Sequence, residues 1–191
     1  MKQFLTTRLF VIVLFAGILS TATAQTKFAP VDKSPLDMSY YPNSYPVLKI
    51  QDKVTEPVMA RVIYSRPQKN GRIIFGELVE YGKLWRLGAN EATEIEFYQP
   101  VKLGKTRVKK GRYTLYCIPY ADRWTLILNR DTDTWGAFKY NQTMDVARMD
   151  IPVQRMQEIQ EFYSMQFEKS TAGFSLVIGW DDVKVAVPFS L

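Results

Sequence analysis

The chain has 191 residues, with 25 lysines and arginines against 19 aspartates and glutamates, one cysteine and no histidine. The lack of histidine excludes the usual general base of serine and cysteine hydrolases and all histidine-ligated zinc, copper and iron sites. The single cysteine excludes an intramolecular disulfide, and the mild, dispersed positive charge gives no reason to expect a nucleic-acid partner.

The N-terminus has the features of a secretory signal peptide. Two basic residues precede an apolar run at residues 9–19, and the small residues of Ala22-Thr23-Ala24 match a signal peptidase site. The apolar run is shorter than the roughly 20 residues that a membrane-spanning helix needs. We therefore assign residues 1–24 to a signal peptide cleaved before Gln25. The expected product is periplasmic or secreted, with no transmembrane segment after cleavage.

Residues 25–55 are rich in proline and tyrosine, and no regular apolar period runs through them. Such a composition is typical of an irregular segment. We predict an N-terminal arm that is ordered only where its apolar side chains contact the remainder of the protein. A single domain is then expected over residues 56–191, because a chain of this length can bury a substantial core.

From Met59 onward, apolar and polar residues alternate with a period of two, which is the period of β-strands. Turn signals such as Asn70-Gly71 and Lys110-Gly111 separate the alternating segments. Many short strands without long helical patterns predict an all-β fold, an antiparallel two-sheet sandwich of jelly-roll-like type. One or two short helices are expected, at residues 77–84 and near residues 153–159.

Several sequence blocks resemble a known family. The most specific is the Trp-Arg-x-Gly-Ala-Asn-Glu block at residues 85–91. The other blocks lie at residues 63–67, 71–76, 111–115, 118–119, 124–129, 135–137 and 145–148. With them the chain resembles the domain-of-unknown-function family numbered 2911, over about residues 35–190. The resemblance implies an exported, one-domain protein of Bacteroidetes-type bacteria with no established activity, and it carries over no catalytic residues.

The same block contains the main candidate ligand-binding residues, Trp85, Arg86, Asn90 and Glu91. An aromatic ring beside a guanidinium, an amide and a carboxylate suits a polar ligand such as a sugar or a peptide terminus. The alternative is a structural corner. In that case Trp85 is buried, Arg86 bonds backbone carbonyls and Asn90 adopts a left-handed turn conformation.

Two further arginines, Arg66 and Arg72, flank the Asn70-Gly71 turn. Together with Arg86 they could form an anion pocket, with Glu91 as an internal counterion. The alternative is that these guanidinium groups are solvated or paired elsewhere.

Aromatic residues also cluster around Gly136, namely Trp135, Phe138 and Tyr140. They could extend an aromatic binding surface. The alternative is that one or two of them are buried beneath their loop.

Two carboxylates are candidates for hydrolytic catalysis, and the single thiol is not. Glu94 and Glu96 lie on one face of a predicted strand, about 7 Å apart, near the lower end of the separation used by inverting glycosidases. The alternative is a solvated strand face. Cys117 shares a face with Tyr113 and Leu115, so a buried, unreactive thiol is expected.

Basic residues between positions 102 and 112 form a predicted hairpin, which either attracts an anionic envelope surface or protects an edge strand from pairing. No aspartate spacing matches a calcium loop. We therefore predict no metal and no other cofactor.

Taken together, the sequence favours a soluble, exported, non-catalytic module that binds a glycan or a peptide or associates with an envelope protein. Two alternatives stay open. One is a carboxylate-dependent hydrolase acting on a glycan. The other is a structural subunit of an envelope assembly. The sequence does not determine the oligomeric state.

Overall fold

The computed structural model describes residues 26–191, so the predicted signal peptide and its cleavage site lie outside the described residues. Short strands dominate, as the period of two indicates. In chain order they are β1 Leu36–Tyr41, β2 Ala60–Ser65, β3 Glu94–Phe97, β4 Val101–Leu103, β5 Thr106–Val108, β6 Gly111–Pro119, β7 Arg123–Asn129, β8 Asp145–Pro152, β9 Gln154–Ser170 and β10 Gly173–Ser190. One α-helix in these residues, α1, spans Tyr45–Ile50, and a 3-10 turn spans Gln142–Met144.

The strands form two antiparallel sheets. The larger sheet has six strands in the order β1-β2-β3-β6-β7-β8, and the smaller has four in the order β5-β4-β10-β9. Apolar side chains from both sheets meet in one buried cluster. The prediction of an all-β, two-sheet antiparallel sandwich with one or two short helices is therefore confirmed.

The longest strand, β10, shows how the alternation of the sequence follows the core. Apart from Val177, its buried side chains are at even positions up to Trp180 and at odd positions from Val183 onward. Pairing with β9 shifts register on both sides of Asp181, and Asp181 has a φ of 56°. A β-bulge changes which face each following residue points to. The bulge therefore keeps both halves of β10 facing the core.

Part of the proline- and tyrosine-rich segment is regular structure. All six residues of β1 pair with β2, from Leu36 opposite Ser65 to Tyr41 opposite Ala60. The ring of Tyr41 is buried and stacks on Phe174, with 4.6 Å between the ring centroids. The segment therefore contributes an edge strand to the larger sheet.

Two helical predictions are wrong. Residues 77–84 form turns because Gly76 and Gly82 have positive φ angles, of 98° and 73°, and Val79 N donates to Ile74 O at 2.8 Å. The apparent helical spacing there came from Val79, which points into the core, combined with apolar neighbours that are exposed. The region near residues 153–159 belongs to β9.

None of the helices within residues 26–191 has the length and apolar character that crossing a membrane requires.

Candidate functional site

Trp85 is part of the core. Its side chain is 8% exposed, and its indole N–H donates to Gly88 O at 3.1 Å. Its ring packs against Trp124 and Tyr163 edge-on and stacks on Trp180, with centroid distances of 5.6, 5.4 and 6.2 Å. Aromatic pairs at such distances stabilise a core beyond their buried area. Trp85 is therefore buried, as the alternative of a structural corner expects.

Backbone contacts fix the loop that follows Trp85. Trp85 and Cys117 exchange both backbone hydrogen bonds, at 2.7 and 2.9 Å, which ties the loop to β6. The Ser65 hydroxyl donates to Ala89 O and accepts from Ala89 N, each at 2.6 Å. A Cβ atom on Gly88 would lie 2.7 Å from that hydroxyl oxygen, so only glycine fits. The loop is therefore held in one conformation.

Arg86 is held by this loop, yet its guanidinium lacks a partner. Its Nε atom is buried without a hydrogen bond, and its guanidinium forms no ion pair with any of residues 26–191. Burial lowers the pKa of Arg86 below its ordinary value, and no nearby carboxylate opposes that shift. The carbonyl bonds that the structural alternative required for Arg86 are not formed within residues 26–191.

Arg86 lines a cavity of about 240 Å³, which we call the arginine cavity. The second arginine on its wall is Arg72, whose Nε donates to Lys69 O at 3.0 Å and whose Nη2 donates to Gln68 O. The lining residues are Ser34, Pro67, Arg72, Leu78, Val79, Trp85, Arg86, Gly88, Ala89 and Trp180. They include two guanidinium groups and no carboxylate. Two side chains of the predicted anion pocket are thus brought together.

Arg66 is not on that wall. Its Nη1 pairs with Asp37 at 3.0 Å, its Nη2 donates to Ser164 at 3.0 Å, and its Nε donates to Tyr163 O at 3.3 Å. These contacts fasten β1 and β9 to the end of β2. Arg66 is therefore one of the paired arginines that the alternative described.

Asn90 and Glu91 do not line the arginine cavity. Asn90 has a φ of 57°, as the structural alternative predicted, and its side-chain amide donates to Asp32 at 2.9 Å. Glu91 is exposed and its backbone forms a bridge with Trp135. The Glu91 side chain lines a different cavity, so Glu91 is not placed as the counterion of Arg86.

The carboxylates considered for hydrolysis are in ion pairs. Glu94 lies 3.2 Å from Arg112 Nε, and Glu96 lies 2.7 Å from Arg61 Nη2. Glu94 also accepts a hydrogen bond from Asp133 N at 2.6 Å. Both groups are therefore charge-paired, partly buried carboxylates on the strand face.

The aromatic residues around Gly136 separate into two groups. Trp135 and Phe138 are 62% and 85% exposed. Tyr140 packs on Tyr116, and its hydroxyl donates to Asp145 at 2.6 Å. Burial and the bond to Asp145 raise the pKa of Tyr140 to about 12. Of these three aromatic residues, Tyr140 alone therefore fits the alternative of burial beneath the loop.

Two other predictions concern ordinary structural features. Cys117 is fully buried, as predicted, and burial raises the pKa of its thiol well above the ordinary value. The basic hairpin is built from β4 and β5, and β5 is an edge strand of the smaller sheet, as the alternative of edge protection expects. Within residues 26–191 no three His, Cys, Asp or Glu side chains are grouped to hold a metal ion.

These features define a class of protein: a two-sheet β-sandwich with a cationic cavity beneath a fixed loop. The chain belongs to the family described as "Protein of unknown function (DUF2911)", whose model matches residues 46–189. The resemblance of the sequence blocks is thereby confirmed. Neither a curated protein nor a solved structure matches the chain.

Proposed function

We propose that the protein is an exported, non-catalytic binding module that takes the carboxylate of a small ligand in the arginine cavity. The observation that carries this proposal is the half-buried guanidinium of Arg86, which has no anionic partner within residues 26–191. Buried charges in proteins are ordinarily paired, because removing an unpaired ion from water is unfavourable. An anionic ligand would supply the missing partner.

The chemistry of the wall supports a carboxylate. Arg86 and Arg72 present charged donors, and hydrogen bonds to charged groups contribute roughly 1.5–3 kcal/mol each. Apolar surface from Pro67, Leu78 and Trp180 surrounds them. A polar group fixed by a few donors inside a mainly apolar cavity is the usual composition of a ligand site.

The size of the cavity limits the ligand. Pockets for drug-sized molecules have volumes of roughly 300–1,000 Å³, and the arginine cavity has about 240 Å³. It therefore suits one terminal group, such as a peptide C-terminus or an acidic sugar residue. The remainder of a longer ligand would extend into solvent.

Calorimetric titration with matched probes tests this function. The probes are glucuronate against glucose, and acetyl-Ala-Ala against its C-terminal amide. We expect an acid to bind and its neutral counterpart to bind at least roughly tenfold more weakly, because the carboxylate carries the contact. The source of the ligand, sugar or peptide, is decided by which acid binds.

The matched variants are Arg86→Gln and Arg66→Gln. Arg86→Gln should weaken binding of the acid by roughly 10- to 100-fold. Arg66→Gln should leave binding unchanged, because Arg66 is paired outside the cavity. Equal binding of acids and neutral probes, or full affinity in Arg86→Gln, would refute the proposal, as would no binding of either acid.

Export is part of the same proposal and has its own test. The apolar run and the small residues before Gln25 support cleavage by a signal peptidase. Protein purified from the periplasm or medium of a Gram-negative host should begin at Gln25. N-terminal sequencing that finds Met1 on the accumulated protein would contradict export by this route.

A further inference from the structure

Among the four tryptophans of the chain, Trp135 alone is well exposed. It lies in the loop between β7 and β8, three residues before Phe138, which is also exposed. Exposed aromatic side chains grouped with polar residues mark interaction surfaces, whereas single exposed apolar residues need no explanation. The loop therefore needs a closer description.

The loop that carries Trp135 is pinned to its neighbours. Ala92 N donates to Thr134 O and Gly136 N donates to Asn90 O, each at 3.0 Å. Gly136 has a φ of 68°, and a Cβ atom there would lie 2.6 Å from the ring of Phe138. The Phe138 ring therefore packs directly over the glycine backbone. The backbone that carries Trp135 is therefore fixed before any ligand arrives, which lowers the entropic cost of binding.

These aromatic residues line a groove. One cavity, of about 450 Å³, is bounded by Tyr116, Trp135 and Phe138, and a second, of about 290 Å³, is bounded by Leu36 and Ile63. The two are neighbours that share Asp133 and Thr134 as lining residues, and we call the pair the aromatic groove. It shares no lining residue with the arginine cavity.

The charges of the aromatic groove differ from those of the arginine cavity. Its lining carboxylates are Glu91, Glu94, Asp131 and Asp133. The lining cation is Lys139, and Arg112 pairs with Glu94 and Asp133 from outside. Carboxylates thus outnumber cations on the wall, which disfavours phosphates, nucleotides and acidic sugars. Hydroxyl groups, by contrast, donate readily to carboxylates.

We propose that the aromatic groove binds a neutral saccharide. A pyranose ring has one face of C–H groups, which packs on an exposed indole such as that of Trp135. Its rim of hydroxyl groups can donate to Asp131 and exchange hydrogen bonds with Thr132. Because the aromatic groove includes a second cavity, lined by Asp133, Thr134 and Ile63, it has room for more than one sugar. A short chain of uncharged sugars matches its shape and its chemistry.

Tryptophan fluorescence gives a direct test, because Trp85, Trp124 and Trp180 are buried and Trp135 reports from the groove. The probes are cellohexaose, laminarihexaose, mannohexaose and chitohexaose. At least one should change the emission of the wild-type protein and protect Trp135 from acrylamide quenching. Calorimetry of the same mixture should give a binding isotherm.

The variants separate stacking from folding. Trp135→Ala should weaken saccharide binding roughly tenfold or more, and Trp135→Phe, which keeps a ring, should retain most of the affinity. Ile159→Ala removes an exposed apolar side chain of β9 and should bind as the wild type does. Arg86→Gln should also bind these neutral saccharides normally, which separates this site from the arginine cavity.

Three results would overturn the proposal. The first is no binding of any of the four saccharides, and the second is unchanged calorimetric affinity in Trp135→Ala. The third is a loss of self-association in Trp135→Ala without any saccharide effect, which would assign the groove to a protein contact. If Trp135→Ala does not fold, as judged by circular dichroism, Phe138→Ala replaces it with the same expected loss.

Discussion

At the scale of single residues, burial shifts the pKa of Tyr163, Cys117 and Arg86. Tyr163 and Cys117 are fully buried next to Trp85, and both side chains are neutral in the folded protein. Burial raises the pKa of the Cys117 thiol and of the Tyr163 phenol well above their ordinary values of 9.0 and 10.0. Arg86 is the opposite case, because it stays charged while half-buried.

The shifted pKa values predict a loss of stability in alkali. Both groups stay neutral when folded and ionise in the unfolded chain, so their contribution is complete below pH 9.0 and falls as pH rises further. Each group that is neutral in the folded protein and ionised in the unfolded chain lowers the free energy of unfolding by about 1.4 kcal/mol per pH unit. Urea unfolding measured in steps upward from pH 9.0 should show this decline.

Cys117→Ala serves as the comparison for that measurement. The variant should show a shallower decline from pH 9.0 upward, because one of the two ionising groups is gone. A free energy of unfolding that stays constant through this range would contradict the assignment. Rapid alkylation of Cys117 in the native protein at pH 9.0 would contradict it as well.

At the scale of elements, the alternation of apolar residues predicted strands because one face of each sheet is buried. That rule describes β10 and one face of β6 and of β7. Tyr116 of β6 and Ile127 of β7 are also buried on the opposite face, in a second cluster with Ala92. At residues 77–84 the helical spacing is misleading, because Gly76 and Gly82 with positive φ turn the chain and Val79 is the one apolar residue there that is fully buried. The spacing of apolar residues alone does not indicate which one of them points into the core from a turn.

Two substitutions test how the edge strand β1 packs on the core. Tyr41→Ala should lower stability strongly, because replacing a buried aromatic by alanine costs roughly 3–5 kcal/mol. Tyr40→Ala, one residue earlier on the opposite face and half-buried, should cost clearly less. Thermal unfolding of both variants measures the difference. Equal melting temperatures would show that β1 does not pack as described.

For the whole molecule, the sequence predicted the two-sheet sandwich and the family, and two arginines of the predicted anion pocket line one cavity, but the other residues of that wall were not predicted. Arg86 and Arg72 meet only because the turn after β2 and the loop after residue 84 fold towards each other. Trp180 completes that wall from a distant part of the chain, which no local pattern indicates. Glu91 and Arg66, which the anion-pocket hypothesis also includes, lie elsewhere: Glu91 lines a different cavity and Arg66 pairs with Asp37.

The resulting molecule carries two chemically distinct depressions, one cationic and small, the other aromatic and longer. Both are bordered by the stretch from Trp85 to Glu94, whose backbone bonds hold it to β6 and to the Trp135 loop. A rigid sandwich that fixes such loops is a common arrangement for binding.

A crystal structure of the protein with glucuronate or acetyl-Ala-Ala tests the central claim most directly. The account predicts density for the carboxylate in the arginine cavity, within about 2.7–2.9 Å of guanidinium nitrogens of Arg86 and with Arg72 on the same side. A structure in which Arg86 instead donates to backbone carbonyls, with the cavity closed and the ligand elsewhere, would contradict it.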